Sequence, residues 1–199
     1  MLLDTPVVAF LLILNGLTGA YTLLVDGSLV GRWAFRPAEA HREWYRWLTA
    51  GFVHVGFGHL LFNLLTLFFL GPPVELQLGA WRFLALYVGS DLAANALTYW
   101  RHRQNPAYSA VGASGAIAGV VFAFCLFRPL QPLYFMFIPV GIPAIVFAFA
   151  YLALSAYAAQ QGGGRIAHEA HLGGALGGLA LTILLYPAAV GIFLRGLGL

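Results

Sequence analysis

Long apolar runs separated by short polar stretches set the rhythm of this chain. The first runs from about Thr5 to Val25. It follows Asp4 and contains Pro6, an acidic side chain near the N-cap and a proline in the first turn, which together mark a helix start. Further runs cover about 51–70, 80–100, 114–127, 143–159 and 166–193. Several approach the roughly 20 residues that a helix needs to cross a bilayer. Strand-like alternation is absent, so helices are the expected way to satisfy the backbone in lipid. Gly71-Pro72-Pro73 predicts a stop after the second run, and Arg128-Pro129 ends the fourth. An irregular apolar stretch with Pro132, Pro139 and Pro143 follows. Gly162-Gly163-Gly164 predicts a flexible break, and Pro187 loosens the last run. Residues 26–50 form the longest polar connection. Within it, Glu39 to Leu48 mixes Trp44, Tyr45 and Trp47 with Arg42 and Arg46, the make-up of a segment lying in the membrane interface. An ordinary amphipathic loop helix fits the same residues.

Composition agrees with this pattern. Of the 199 residues, 61% are hydrophobic and 9% charged, where a soluble domain carries about 25% charge. The mean hydropathy is +0.83. The reading is an all-α integral membrane protein with six spans, one domain over 1–199, no repeat and no room for a soluble domain. All ten basic residues are Arg. The net charge of +3 forms no basic stripe, so nucleic acid is not an expected partner. Cys125 is alone in an apolar run, which leaves neither a disulfide framework nor a thiolate metal site. No basic segment precedes the first run and no small-residue cleavage site follows it, so it is expected to stay as a span.

Ionisable groups at membrane depth are costly and are candidates for function. They cluster on three runs: His54, His59 and Asn63 on the second, Ser114 opening the fourth, and His168, Glu169 and His171 on the sixth. Ser114 lies in Val111-Gly112-Ala113-Ser114-Gly115-Ala116-Ile117-Ala118-Gly119. Alone, its Gly115 and Gly119 read as a helix-packing step. His59 and Asn63 are four residues apart and share a helix face. They suit either two donors aimed at an oxyanion or a pair of interhelical hydrogen bonds. Gly174 and Gly178 continue a smooth face below His171. If that face meets the helix of Ser114, the serine gains an adjacent base with a free pKa of about 6.5. Glu169 is two positions from His171 and points elsewhere on a helix, and Asp91 stands on another run, so a dyad is the simpler reading. His168 and His54 read as polar residues near the mouth, His54 as lining a water-filled way in. His168-Glu169-Ala170-His171 is one residue short of a zinc-protease motif, so neither a metal nor another cofactor is expected.

Taken together, these residues resemble the rhomboid family of intramembrane serine proteases over nearly the whole chain. The resemblance rests on Gly112-Ala113-Ser114-Gly115, Ala170-His171-x-x-Gly174-x-x-x-Gly178, His54-x-x-x-x-His59-x-x-x-Asn63, Gly71-x-x-x-Glu75-x-x-x-Gly79, and Tyr45-Arg46 in place of a Trp-Arg pair. It implies a serine endopeptidase with Ser114 as nucleophile and His171 as base and acid. His59, Asn63 and the Ser114 N–H would form the oxyanion hole. Gly112, Gly115, Gly174 and Gly178 would support the site, Glu75 would anchor the second span, and Arg46 would hold the first loop. Phe62 would face Phe147 or Phe149 across a lateral gate. Some members pack an aromatic residue on the histidine from four positions after the serine; here that position is Ala118. The implied partners are transmembrane protein substrates and the lipid bilayer; the absence of Lys and the abundance of Ala, Gly, Leu and Arg point to a bacterium, and so to its inner membrane.

Orientation divides the two lines of reasoning. The resemblance puts the N-terminus in the cytoplasm. That leaves Arg32, Arg36, Arg42, Arg46, Arg101, Arg103 and Arg165 outside, against Arg82, Arg128 and Arg195 inside, the reverse of the positive-inside rule. Two other functions fit parts of the pattern. A silent rhomboid-like protein that binds membrane helices would normally lack Ser114 or His171. A small transporter with a histidine relay leaves Gly112-Ala113-Ser114-Gly115 without a purpose.

Overall fold

A computed structural model describes residues 2–135, 138–161 and 167–199. Helix α1 (Pro6–Leu24) begins with proline at its first position. Its opening N–H groups cannot bond within the helix. They find Glu75 instead: Oε1 accepts from Val7 N at 3.0 Å and Oε2 from Val8 N at 2.7 Å. A carboxylate also suits the positive end of the helix dipole. Glu75 is buried in the last turn of α4 (Phe57–Leu78), which packs along α1.

Between them, the connection folds into two short helices, α2 (Ser28–Trp33) and α3 (Arg46–Thr49). Phe35 is fully buried, packs edge-on against Trp47, and exchanges both backbone hydrogen bonds with Ala110. The loop is thereby tied to the segment that leads into Ser114.

The remaining elements are α5 (Ala80–His102), α6 (Ser114–Phe127), a hairpin of β1 (Pro132–Phe135) and β2 (Ile138–Pro143), then α7 (Ala144–Gln161), α8 (His168–Leu185) and α9 (Ala188–Gly196). Helix α6 is the axis of the bundle. Every residue from Gly115 to Leu126 is buried, and α4, α5, α7, α8 and α9 all pack on it.

Glycines set the spacing. A Cβ on Gly174 would lie 2.1 Å from Gly115 O, and one on Gly178 would lie 2.2 Å from Gly119 Cα. Helix α8 therefore meets α6 backbone to backbone. Gly115 and Gly119 do not open toward α8 as a symmetric pair. Their free faces receive Ala94 Cβ and Ser90 Oγ of α5, while Gly173 and Gly177 seat α8 against Ala93 of α5. The close approach is a three-helix junction.

The structure departs from expectation in four places. Helix α4 starts at Phe57, not near 51, because Val53 and Gly56 are extended and turn the His54 side chain into the bundle. It then continues through Pro72 and Pro73. In lipid there is no water to take over the backbone groups, so a helix held by its neighbours outlasts a signal that ends one in water. The apolar stretch after Pro129 pairs as an antiparallel hairpin, with Pro132 opposite Pro143. Two-stranded ribbons have only edge strands, which tolerate proline. Finally, Pro187 does more than loosen the last run: α8 and α9 meet at 110°, since proline lacks the N–H and its ring clashes with the preceding turn. The expected break at Gly162–Gly164 lies outside the described residues.

The chain is thus a mostly helical protein of apolar helices. Helices α1 and α4 are each long and apolar enough to cross a membrane, and α8 with α9 make a third if the bent pair is one span.

Candidate active site

Gly112 has φ of +105°, a left-handed conformation that glycine adopts freely. Its N–H donates to Ala50 O at 2.8 Å. A Cβ there would lie 2.4 Å from Cε1 of His59, so the site has no space for a side chain. The turn at Gly112 and Ala113 delivers Ser114 to the first position of α6. His171 stands in the first turn of α8, and its Nε2 lies 2.9 Å from Ser114 Oγ. The α6–α8 approach described above is what brings them together.

His59 and Asn63 line the same cavity as Ser114 and His171. This cavity of about 1640 Å³ extends past Phe62 and Phe147 to Arg128 and Tyr134 at the other end of α6. Phe149 does not line it and is largely exposed.

His54 does not line a way in: it is completely buried, and its Nε2 accepts a hydrogen bond from Asn63 Nδ2 at 3.2 Å. That bond requires a neutral imidazole with its hydrogen on Nδ1. It fixes the rotamer of Asn63 and leaves the second amide hydrogen for another acceptor. Both residues could be read in sequence, but the nine-residue spacing bridges a loop and gives no periodic sign that they meet.

Among the described residues, no carboxylate hydrogen bonds to His171. Asp91 is buried behind Ser114, its carboxylate facing Gly51 and Gly115. Glu169 turns to the far side, where Tyr108 donates to its Oε1 and His102 Nε2 lies 3.2 Å from it. The Tyr108 ring stacks on His102 with centroids 3.7 Å apart. Burial, and then the Glu169 carboxylate, hold the proton on Tyr108 well above the usual tyrosine range. This clasp joins the loop before Ser114 to the start of α8, and no motif announces it. His168 meets His171 edge-on, with centroids 6.1 Å apart.

Arg46 is buried. Its Nη1 donates to Ala34 O at 2.8 Å and Gly31 O at 3.1 Å, and its Nε to Glu43. Among the described residues, no three His, Cys, Asp or Glu side chains gather as a metal site.

Apolar helices thus surround a serine–histidine contact at a large cavity. The family model described as the Rhomboid domain matches residues 41–188. The chain belongs to the rhomboid family. It is 38% identical over 130 residues to YdcA of Bacillus subtilis, provisionally named a rhomboid protease, with 63% of each chain covered. It is 30% identical over 185 residues to the rhomboid protease GluP of the same organism, covering 92% of this chain and 34% of GluP. It is also 30% identical over 155 residues to the rhomboid protease GlpG of Pectobacterium atrosepticum, covering 75% of this chain and 52% of that protein. The chain thus spans between about a third and two-thirds of the length of these relatives.

Proposed function

We propose that this protein is an intramembrane serine endopeptidase that cleaves peptide bonds in or near transmembrane segments. The observation that carries the reading is the 2.9 Å contact between Ser114 Oγ and His171 Nε2, in a family whose named relatives include proteases. His171 takes the Ser114 proton as Oγ attacks the scissile carbonyl carbon. The developing oxyanion is met by His59, Asn63 and the Ser114 N–H. His171 then protonates the leaving amine, and a water activated by the same imidazole releases the acyl group. Ser114 and His171 work as a dyad. A substrate helix has its carbonyls in internal hydrogen bonds, so it must unwind locally to expose one. The small residues around Ser114 favour a small side chain before the cut.

The proposed setting is a six-span, multi-pass fold over 1–199 in the inner membrane of a bacterium, with transmembrane proteins as substrates. Helix α6 has 14 residues, about 21 Å at 1.5 Å per residue, which is shorter than a bilayer core of about 30 Å. A short central helix leaves its N-terminal serine below the surface, where a water-filled cavity can reach it.

Reconstituted protein should cleave a model transmembrane substrate and react with a fluorophosphonate. Ser114→Ala and His171→Ala should each abolish both while the protein still folds. His168→Ala should keep most of the activity. Cleavage by Ser114→Ala overturns the reading. A folded wild-type protein that neither cleaves nor labels leaves the helix-binding or transporter alternatives.

A further inference from the structure

Rotation about the side-chain bonds of His171 would carry Nε2 away from Ser114. A carboxylate on the opposite ring nitrogen would prevent that, but none is present among the described residues. Ala118 lines the same cavity one turn below Ser114 and offers only a methyl group. The ring that does face the imidazole comes from another element. Tyr151 on α7 lies with its centroid 6.1 Å from that of His171 and its plane inclined by 28°. This is an offset stack within the range of about 4.5–7 Å that aromatic pairs favour. Tyr151 is itself held from two sides. Phe122, one turn beyond Ala118 on α6, meets it at 5.8 Å, and Phe147, one turn earlier on α7, at 5.7 Å. His168 closes the other side of the imidazole edge-on.

We propose that Tyr151 is the positioning residue of His171. Its ring keeps the imidazole turned with Nε2 toward Ser114, and it does so from α7, so the base is in register only while α7 lies against α6. This rests on His171 being the base of the proposed reaction. Tyr151 touches neither Ser114 nor a reacting atom in this role. What it supplies is an aromatic face, and its hydroxyl is dispensable.

The test is the rate of fluorophosphonate labelling at several probe concentrations, which separates the maximal rate from probe affinity. Tyr151→Phe should label within about threefold of wild type. Tyr151→Leu keeps much of the volume against Phe122 but has no aromatic face. Its maximal rate should fall by about 10- to 100-fold, the scale of a misplaced catalytic group, with affinity unchanged. Adding Ala118→Phe to Tyr151→Leu puts a ring back beside the imidazole from α6 and should recover most of the rate. Wild-type labelling by Tyr151→Leu overturns the proposal, as does a large loss in Tyr151→Phe. A folded double variant that recovers nothing shows that the aromatic face is not what Tyr151 provides. If wild-type labelling survives His171→Ala, the dyad reading has failed rather than the role of Tyr151.

Discussion

Arg46 is buried but the carboxylates around it are not, and this asymmetry has a measurable consequence. The hydrogen bond from Arg46, with its charge, holds Glu43 below its ordinary value of 4.5. A depressed carboxyl stabilises the folded loop above the unfolded value, and that contribution goes as pH falls through the folded one. Proteolysis of the 34–46 segment in detergent micelles should therefore be flat from pH 7 to about 5 and accelerate below about 4.5. Glu43→Gln should be cut faster at neutral pH and lose the dependence. The pair is solvent-exposed on the Glu43 side, so the effect is local and screened by salt. The sequence marked Arg46 through Tyr45-Arg46, but its two carbonyl acceptors, Gly31 O and Ala34 O, carry no side-chain signature. The same limit applied to Tyr108. Its partner Glu169 is 61 residues away, and only the folded bundle puts a phenol, an imidazole and a carboxylate together.

Among the elements, glycine positions say where helices touch, and most of that was legible. The spacing of Gly174 and Gly178 below His171 marks a smooth face for the helix of Ser114, and their missing side chains open onto α6. What the spacing could not say is that Gly115 and Gly119 open onto α5, because a GxxxG step names a face and not its partner. Gly174→Ala would put a methyl group 2.1 Å from a backbone oxygen and should cost about 1–3 kcal/mol by overpacking. It should also lower labelling of Ser114, because α8 carries His171 away. Gly16→Ala in α1, where nothing lies within 4 Å, should be neutral or slightly stabilising. Thermal unfolding of both variants in the same detergent makes the comparison. Helix ends were legible where a cap or proline acts in water-like fashion, as at Pro6 and Arg128. They are not legible at Pro72-Pro73, where α4 continues packed against α1 and α6, nor before Phe57, where the extended Val53 and Gly56 precede the helix.

For the whole molecule, the arginines bear on which way it faces. Arg32, Arg36 and Arg46 crowd the connection at the Ser114 end, and the structure pairs them with Asp26, Glu39 and Glu43. The positive-inside rule counts arginines whether or not they are paired. The resemblance implies the N-terminus in the cytoplasm, which would place the Ser114 end of the cavity outside. A reporter active only outside, fused within 26–50, should be active, and one fused beyond Arg128 should not. The reverse pattern would turn the cavity toward the cytoplasm. The carboxylate that closes the start of α1 has a consequence for the newborn chain as well. Glu75 follows Val7 by 68 residues, which at about 5–20 residues per second is roughly 3–14 seconds of translation. Throughout that interval the leading amides of α1 lack the carboxylate that accepts from them in the folded protein. The start of α1 is therefore closed only once α4 has been made, while α5 to α9 are still to come.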